Sequence, residues 1–133
     1  MQVNNVSNTS FGAISANAMA RRLIVRDFNS FFDRRNFYNM VKEQKKNAIN
    51  VHLTYRTKEA GKKYSENIDN CYLIAKVGQK EFRKGSFETY FDMVKRAVRF
   101  AESVGEFFGN PPVPKNTKPV KKATFEDILK ILS

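Results

Sequence analysis

Apolar residues recur along this chain with two different periods, and the change from one to the other marks its clearest stretch, residues 71–108. Residues 71–77 and 80–83 alternate apolar with polar. Between them Gly78-Gln79 suits a tight hairpin, because glycine takes the positive φ that such a turn demands. A two-residue loop sets the register: Val77 faces Lys80, Ala75 faces Phe82 and Lys76 faces Glu81. Cys71, Leu73, Ala75, Val77 and Phe82 then share the core side. Beyond Gly85 the period becomes 3.6 residues. Phe87, Tyr90, Phe91, Val94, Ala97, Val98, Ala101 and Val104 form one face of a helix over 87–108, with Ser86 as N-cap. Met93, Phe100 and Phe107 widen that face past what one sheet covers, which predicts a second element on its flank.

Upstream, residues 49–55 alternate cleanly, with Ile49, Val51, Leu53 and Tyr55 on one side and Asn50, His52 and Thr54 on the other. Two helices precede this strand. One starts near Ala16 and carries Ala18, Met19, Leu23 and Ile24 on its apolar side; after a break at 27–30, another spans 36–47 with Phe37, Met40, Val41 and Gln44 inward. Phe11 and Ile14 anchor a short edge strand over 11–14. Residues 56–70 are polar and read as a long mobile hairpin loop. After the long helix, Pro111, Pro112 and Pro114 end regular structure, and Lys115, Lys118, Lys121 and Lys122 extend a basic linker. Thr124 then caps a last helix, Asp127 completes a capping box, and Phe125, Ile128, Leu129, Ile131 and Leu132 give it an apolar side. So short a helix must dock, either on its own domain over the flank of the long helix or in a partner's groove.

The expected organisation is an arm at 1–15 carrying a short strand, one domain at 16–109, a Pro/Lys-rich linker at 110–123 and a docking helix at 124–133. The expected fold class is α+β: a three-stranded antiparallel sheet packed on one face by helices (an α-β-β-β-α core), with an N-terminal helical extension and a short C-terminal helix.

Composition adds one strong signal. Lys and Arg number 24 against 13 Asp and Glu, a net charge of +11 with a pI near 9.9, which favours anionic partners. The excess spares residues 1–20, which carry no charge, and residues 87–110, where three cations meet four acids. No run approaches the roughly 20 apolar residues of a membrane helix, and the first twenty residues do not resemble a secretory signal; the reading is a cytoplasmic protein with no membrane contact. One cysteine and one histidine exclude an internal disulfide and disfavour a zinc site, so no metal or cofactor is expected. His52 falls on the polar side of its strand with no neighbouring catalytic pattern. Glu88, Asp92, Glu102 and Glu106 line the outer side of the long helix, where Lys95, Arg96 and Arg99 account for them as ion pairs. The Gly61-Lys62-Lys63 stretch lacks the glycine spacing and the following Ser or Thr of a nucleotide-binding loop.

The helix-strand-strand-strand-helix order over 36–108 resembles that of the double-stranded RNA-binding domain. Val77-Gly78-Gln79-Lys80-Glu81-Phe82 followed by Lys84-Gly85-Ser86 is similar to that family's last hairpin and the start of its second helix. The resemblance covers about half the chain and implies phosphate contacts at the start of the second helix. Where the family carries lysines this chain reads Phe87-Glu88-Thr89-Tyr90-Phe91-Asp92, which leaves Lys84 as the implied contact.

The functional expectation is therefore a small, non-enzymatic basic protein that holds nucleic acid or another polyanion. Its candidate contacts are Arg21, Arg22, Arg26, Arg34, Arg35, Lys42, Lys45, Lys46, Arg56, Lys58, Lys62, Lys63 and Lys84. Phe28, Phe31 and Phe32, interleaved with Arg26, Arg34 and Arg35, could stack on bases, although aromatics at helical spacing more often form a core. The competing expectation is a protein-interaction or assembly component that uses the N-terminal arm and docks Phe125, Ile128, Leu129 and Leu132 into a partner. Neither reading sets the oligomeric state.

Overall fold

A computed structural model of the protein describes residues 14–44, 49–107 and 123–132, with backbone only for Glu106 and Phe107. The elements run β1 (Ile14–Ala16), α1 (Ala18–Asp27), α2 (Phe31–Glu43), β2 (Val51–Thr57), a 3-10 turn (Ile68–Asn70), β3 (Cys71–Val77), β4 (Lys80–Phe82), α3 (Tyr90–Phe107) and α4 (Phe125–Ile131). This is a mixed α and β fold built on one sheet.

The sheet has four strands in the order β1-β2-β3-β4, not the three expected. The hairpin register is as read from sequence, with Val77 opposite Lys80, Lys76 opposite Glu81 and Ala75 opposite Phe82 around Gly78 at φ 60°. β2 adds antiparallel to β3, pairing Leu53 with Ala75 and Tyr55 with Leu73. The extra strand is β1, which runs parallel to β2 from Ile14↔Val51 to Ala16↔Leu53. A parallel neighbour needs a crossover, and α1 with α2 supply it. Ile14 is fully buried and Ala16 nearly so, so residues 14 and 15 belong to the sheet and not to an arm; residues 1–13 lie outside the described residues.

Helix order also departs from the expected core. α1 lies against β1, β2 and β3, and α3 against β2, β3 and β4, so the helix beside α3 on the sheet is α1. α2 packs chiefly on α4, although Phe37 and Val41 reach the common core. That core is one cluster: Ile14, Val51, Leu53, Leu73 and Ala75 from the sheet, Leu23 and Ile24 from α1, Val94, Ala97 and Ala101 from α3, and Ile128 and Leu132 from α4. The last helix sits on α2, and Gln44 at the end of α2 donates to Glu102 of α3 at 3.2 Å. Among the described residues no helix is long and apolar enough to cross a membrane.

Local caps explain where the helices begin. Asn17 starts α1: its side-chain oxygen accepts the Ala20 N–H at 2.9 Å and its amide donates to Thr54 Oγ1 at 2.6 Å. α2 starts five residues earlier than periodicity predicts, at Phe31 after Ser30. α3 starts three later, because Thr89 and Asp92 cap reciprocally (Thr89 N–H to Asp92 Oδ2 and Asp92 N–H to Thr89 Oγ1, both 3.1 Å). Ser86 and Phe87 form a turn before it, and Phe87 is fully exposed where the pattern placed it in the core. The Thr124–Asp127 capping box of α4 is present.

Candidate polyanion interface

Residues 58–70 return the chain from the end of β2 to the start of β3, and irregular backbone here leaves carbonyls needing donors. Arginines of α1 supply them. Arg22 donates Nη1 to the Glu66 carbonyl at 3.1 Å, while Arg26 donates to the carbonyls of Ile68 (2.8 Å) and Cys71 (3.3 Å) and grips Asp27 with Nε and Nη2. The connector also closes on itself, through the Thr57 hydroxyl to the Lys62 carbonyl and Lys58 N–H to the Asn70 carbonyl at 2.7 Å. Ser65 is buried beneath it, and the Cys71 thiol, also buried, lies 3.4 Å from the Asn67 carbonyl. The segment expected to be a free loop is fastened to α1 at several points.

On the sheet face turned away from the helices, Arg56 stands opposite Tyr72. Glu81 serves two cations: Arg56 Nη2 lies 2.6 Å from Oε1 and Arg83 Nε 2.6 Å from Oε2, and the Arg83 guanidinium lies 5.9 Å from the Tyr72 ring centre. Hydrogen bonding to Arg56 first, and to Arg83 next, holds the Glu81 carboxyl below its usual pKa. The folded pKa being depressed, this stabilisation is complete above the ordinary glutamate value of about 4.3 and is lost as pH falls from there through the lower folded value. Glu81→Gln is therefore expected to cost up to about 1 kcal/mol at pH 7 and less at pH 3 relative to wild type, read by urea unfolding at both pH values. An equal cost at both would show that charge is not what Glu81 contributes. Lys84 donates to the Gly85 carbonyl at 3.1 Å and sits 5.8 Å from the ring centre of Tyr90.

The α2 cations keep different company. Arg34 lies over Phe125 at 4.5 Å and donates to the Asn29 carbonyl; Arg35 lies over Phe31 and Phe32 at 5.8 and 5.2 Å; Lys42 lies 5.6 Å from the Tyr38 ring centre. Phe28, by contrast, is buried against Phe37. Lys45 and Lys46 fall outside the described residues.

Most of the candidate cations thus divide in two. Arg22, Arg26, Arg56, Lys58, Lys62 and Lys63 gather around the end of the sheet where β2 stops and β3 begins, whereas Arg34, Arg35 and Lys42 line α2, and Arg21 on α1 and Lys84 beside Tyr90 stand in neither set; no hydrogen bond, ion pair or ring contact joins the first two sets among the described residues. Of the eleven described, Arg26, Arg56 and Lys62 are ion-paired, the last loosely with Glu59 at 3.9 Å. Arg21, Arg22, Arg34, Arg35, Lys42, Lys58, Lys63 and Lys84 have no carboxylate partner among the described residues.

Acids on α3 and just before it are largely occupied: Glu88 takes Arg96 at 2.6 Å, Asp92 takes Lys95 at 3.3 Å, and Glu102 accepts from Gln44 at 3.2 Å. His52 Nδ1 lies 2.9 Å from Ser15 Oγ, and among the described residues no group of three or more His, Cys, Asp or Glu could hold a metal ion.

Beside the connector opens a cavity of about 560 Å3, lined by Met19 and Arg22 of α1, Tyr55 of β2, and Tyr64, Ser65 and Glu66. Sequence reasoning placed Tyr55 and Tyr90 on apolar faces only and did not single out Tyr64, Tyr72 or Arg83. Strand alternation carried part of the signal, since Arg83 shares a face with Glu81, but which rings line a shared space depends on chain crossings that alternation does not encode. Comparison with protein-family models, with curated proteins and with solved structures finds no match to this chain.

Proposed function

We propose that this protein is a non-enzymatic binder of nucleic acid or a similar polyanion, held by phosphate contacts from the cations around the end of the sheet. One observation carries the reading: of the six cations around the end of the sheet, Arg22, Lys58 and Lys63 have no carboxylate partner among the described residues. Charges left uncompensated by the fold are available to an anionic ligand, and each phosphate they neutralise releases counterions. Lys58 and Lys63, exposed on a fastened connector, are the best placed.

Binding to mixed-sequence DNA and RNA should therefore weaken steeply with salt. Each lysine contact contributes about 0.9 to the slope of log K against log salt on duplex DNA, so the triple variant K58Q/K62Q/K63Q should flatten that slope by roughly 2 to 3. Absence of binding at low salt would remove the proposal. A second reading, an assembly component, draws on α4, which packs on α2 with Ile128 and its C-cap Leu132 buried, and the same helix would fit the α2 of another copy. The N-terminal arm that this reading also invokes lies outside the described residues.

A further inference from the structure

β1 accompanies β2 only as far as Ala16↔Leu53, while β2 continues to Thr57. At Asn17 the chain leaves the sheet for α1, held by its N–H to the Leu53 carbonyl at 3.3 Å. Past that point β2 has no described strand on its β1 side. The cavity of about 560 Å3 occupies this step, within the roughly 300–1,000 Å3 of pockets that take small organic ligands.

Its walls are held in place before any ligand arrives. The Tyr64 hydroxyl donates to Glu66 Oε1 at 2.9 Å, so a ring that is 61% exposed is nonetheless oriented. Arg22 is parked by Nη1 on the Glu66 carbonyl, and Ser65, 6% exposed, accepts the Asn67 N–H at 3.1 Å. Two phenol rings and the polarisable thioether of Met19 offer flat apolar contact, the Glu66 carboxylate an acceptor, and the rest of the Arg22 guanidinium a donor to an anion. Lys58, Lys62 and Lys63 stand exposed on the same connector.

Flat aromatic walls beside a cation and a run of unburied lysines match a planar ring carried on a phosphate chain. We propose that this step holds one unpaired nucleobase of a single-stranded nucleic acid, stacked on Tyr64 and Tyr55, with neighbouring phosphates on Arg22 and the connector lysines. The inference rests on the polyanion reading and narrows it, because a base stacked within a duplex cannot enter.

The test compares three ligands: a mixed-sequence single-stranded 12-mer, the same sequence as duplex, and inorganic polyphosphate, which has charge and no bases. The chain has five tyrosines and no tryptophan, so intrinsic fluorescence reports on tyrosine stacking directly. Expected are tighter binding of the single strand than of the duplex at equal salt, and quenching by the single strand that polyphosphate does not produce. Tyr64→Ala should lower single-strand affinity about 5- to 100-fold and leave polyphosphate affinity unchanged, whereas Tyr64→Phe, which keeps the ring, should stay close to wild type. Equal single-strand and duplex affinities that Tyr64→Ala does not alter would overturn the base site while leaving polyanion binding standing. No binding to any of the three ligands at low salt would overturn both.

Discussion

Phe37→Ala should lower the free energy of unfolding by about 3–5 kcal/mol, the usual cost of emptying a fully buried phenylalanine site. Phe37 is 0% exposed and meets Phe28 edge to face, with ring centres 4.8 Å apart and planes at 76°. Such a pair adds about 0.5–1.5 kcal/mol to the burial of its area. Alanine cannot reach Phe28, and the space would close only if α2 moved as a body. That movement is restrained because Phe28 ends α1 just three residues before α2 begins. A domain of this size has about 5–15 kcal/mol in all, so the variant should unfold at markedly lower urea. A loss under 1.5 kcal/mol, measured by circular dichroism, would mean that α2 is not anchored through this residue.

Ile128→Ala should cost about 2–5 kcal/mol, and removal of residues 124–133 should cost more, because Leu132 leaves with it. Ile128 is 0% and Leu132 4% exposed, both within the common core cluster, and Phe125 lies under Arg34. A helix this short has no stability of its own and depends on that contact. Urea unfolding measures the loss, and sedimentation or size exclusion separates the two functional readings. Under the polyanion reading Ile128→Ala weakens the monomer and leaves the oligomeric state alone. If α4 is instead exchanged between copies, the wild type is an oligomer, its stability rises with protein concentration, and the substitution dissociates it. A variant as stable as wild type would show that α4 adds nothing to the core.

Two capping boxes among the described residues are written Thr-x-x-Asp, yet periodicity made only one of them legible. At Thr124 the box and the apolar run begin together, so the two signals agree. At Thr89 an apolar residue, Phe87, stands two positions upstream in phase with the helix and suggests an earlier start. Gly85 N–H to Glu88 Oε1 at 2.7 Å and the Glu88–Arg96 ion pair hold residues 85–88 as a turn instead, and Phe87 faces water. The short strand expected over 11–14 lies at 14–16, and its bounds and parallel pairing were hidden for another reason. Three residues are too few to show alternation, and the partner of Ile14 is Val51, 37 positions away across two helices. For the site, the cations could be named from sequence and their grouping could not, because Arg22 and Arg26 of α1 meet the connector only through contacts to Glu66 and Ile68, more than 40 positions away.

Local chemistry alone settled the β3–β4 hairpin, its register and its inward residues, since a two-residue turn beginning with glycine leaves one pairing that keeps the apolar face intact. It also settled the strong positive charge, which is a property of composition. Tertiary packing alone decided that a fourth, parallel strand joins the sheet, that α1 and not α2 lies beside α3, and that most of the candidate cations divide between the end of the sheet and α2. Those outcomes depend on contacts between residues tens of positions apart, whose free energy is set by the complementary faces they bury and not by the pattern within either segment.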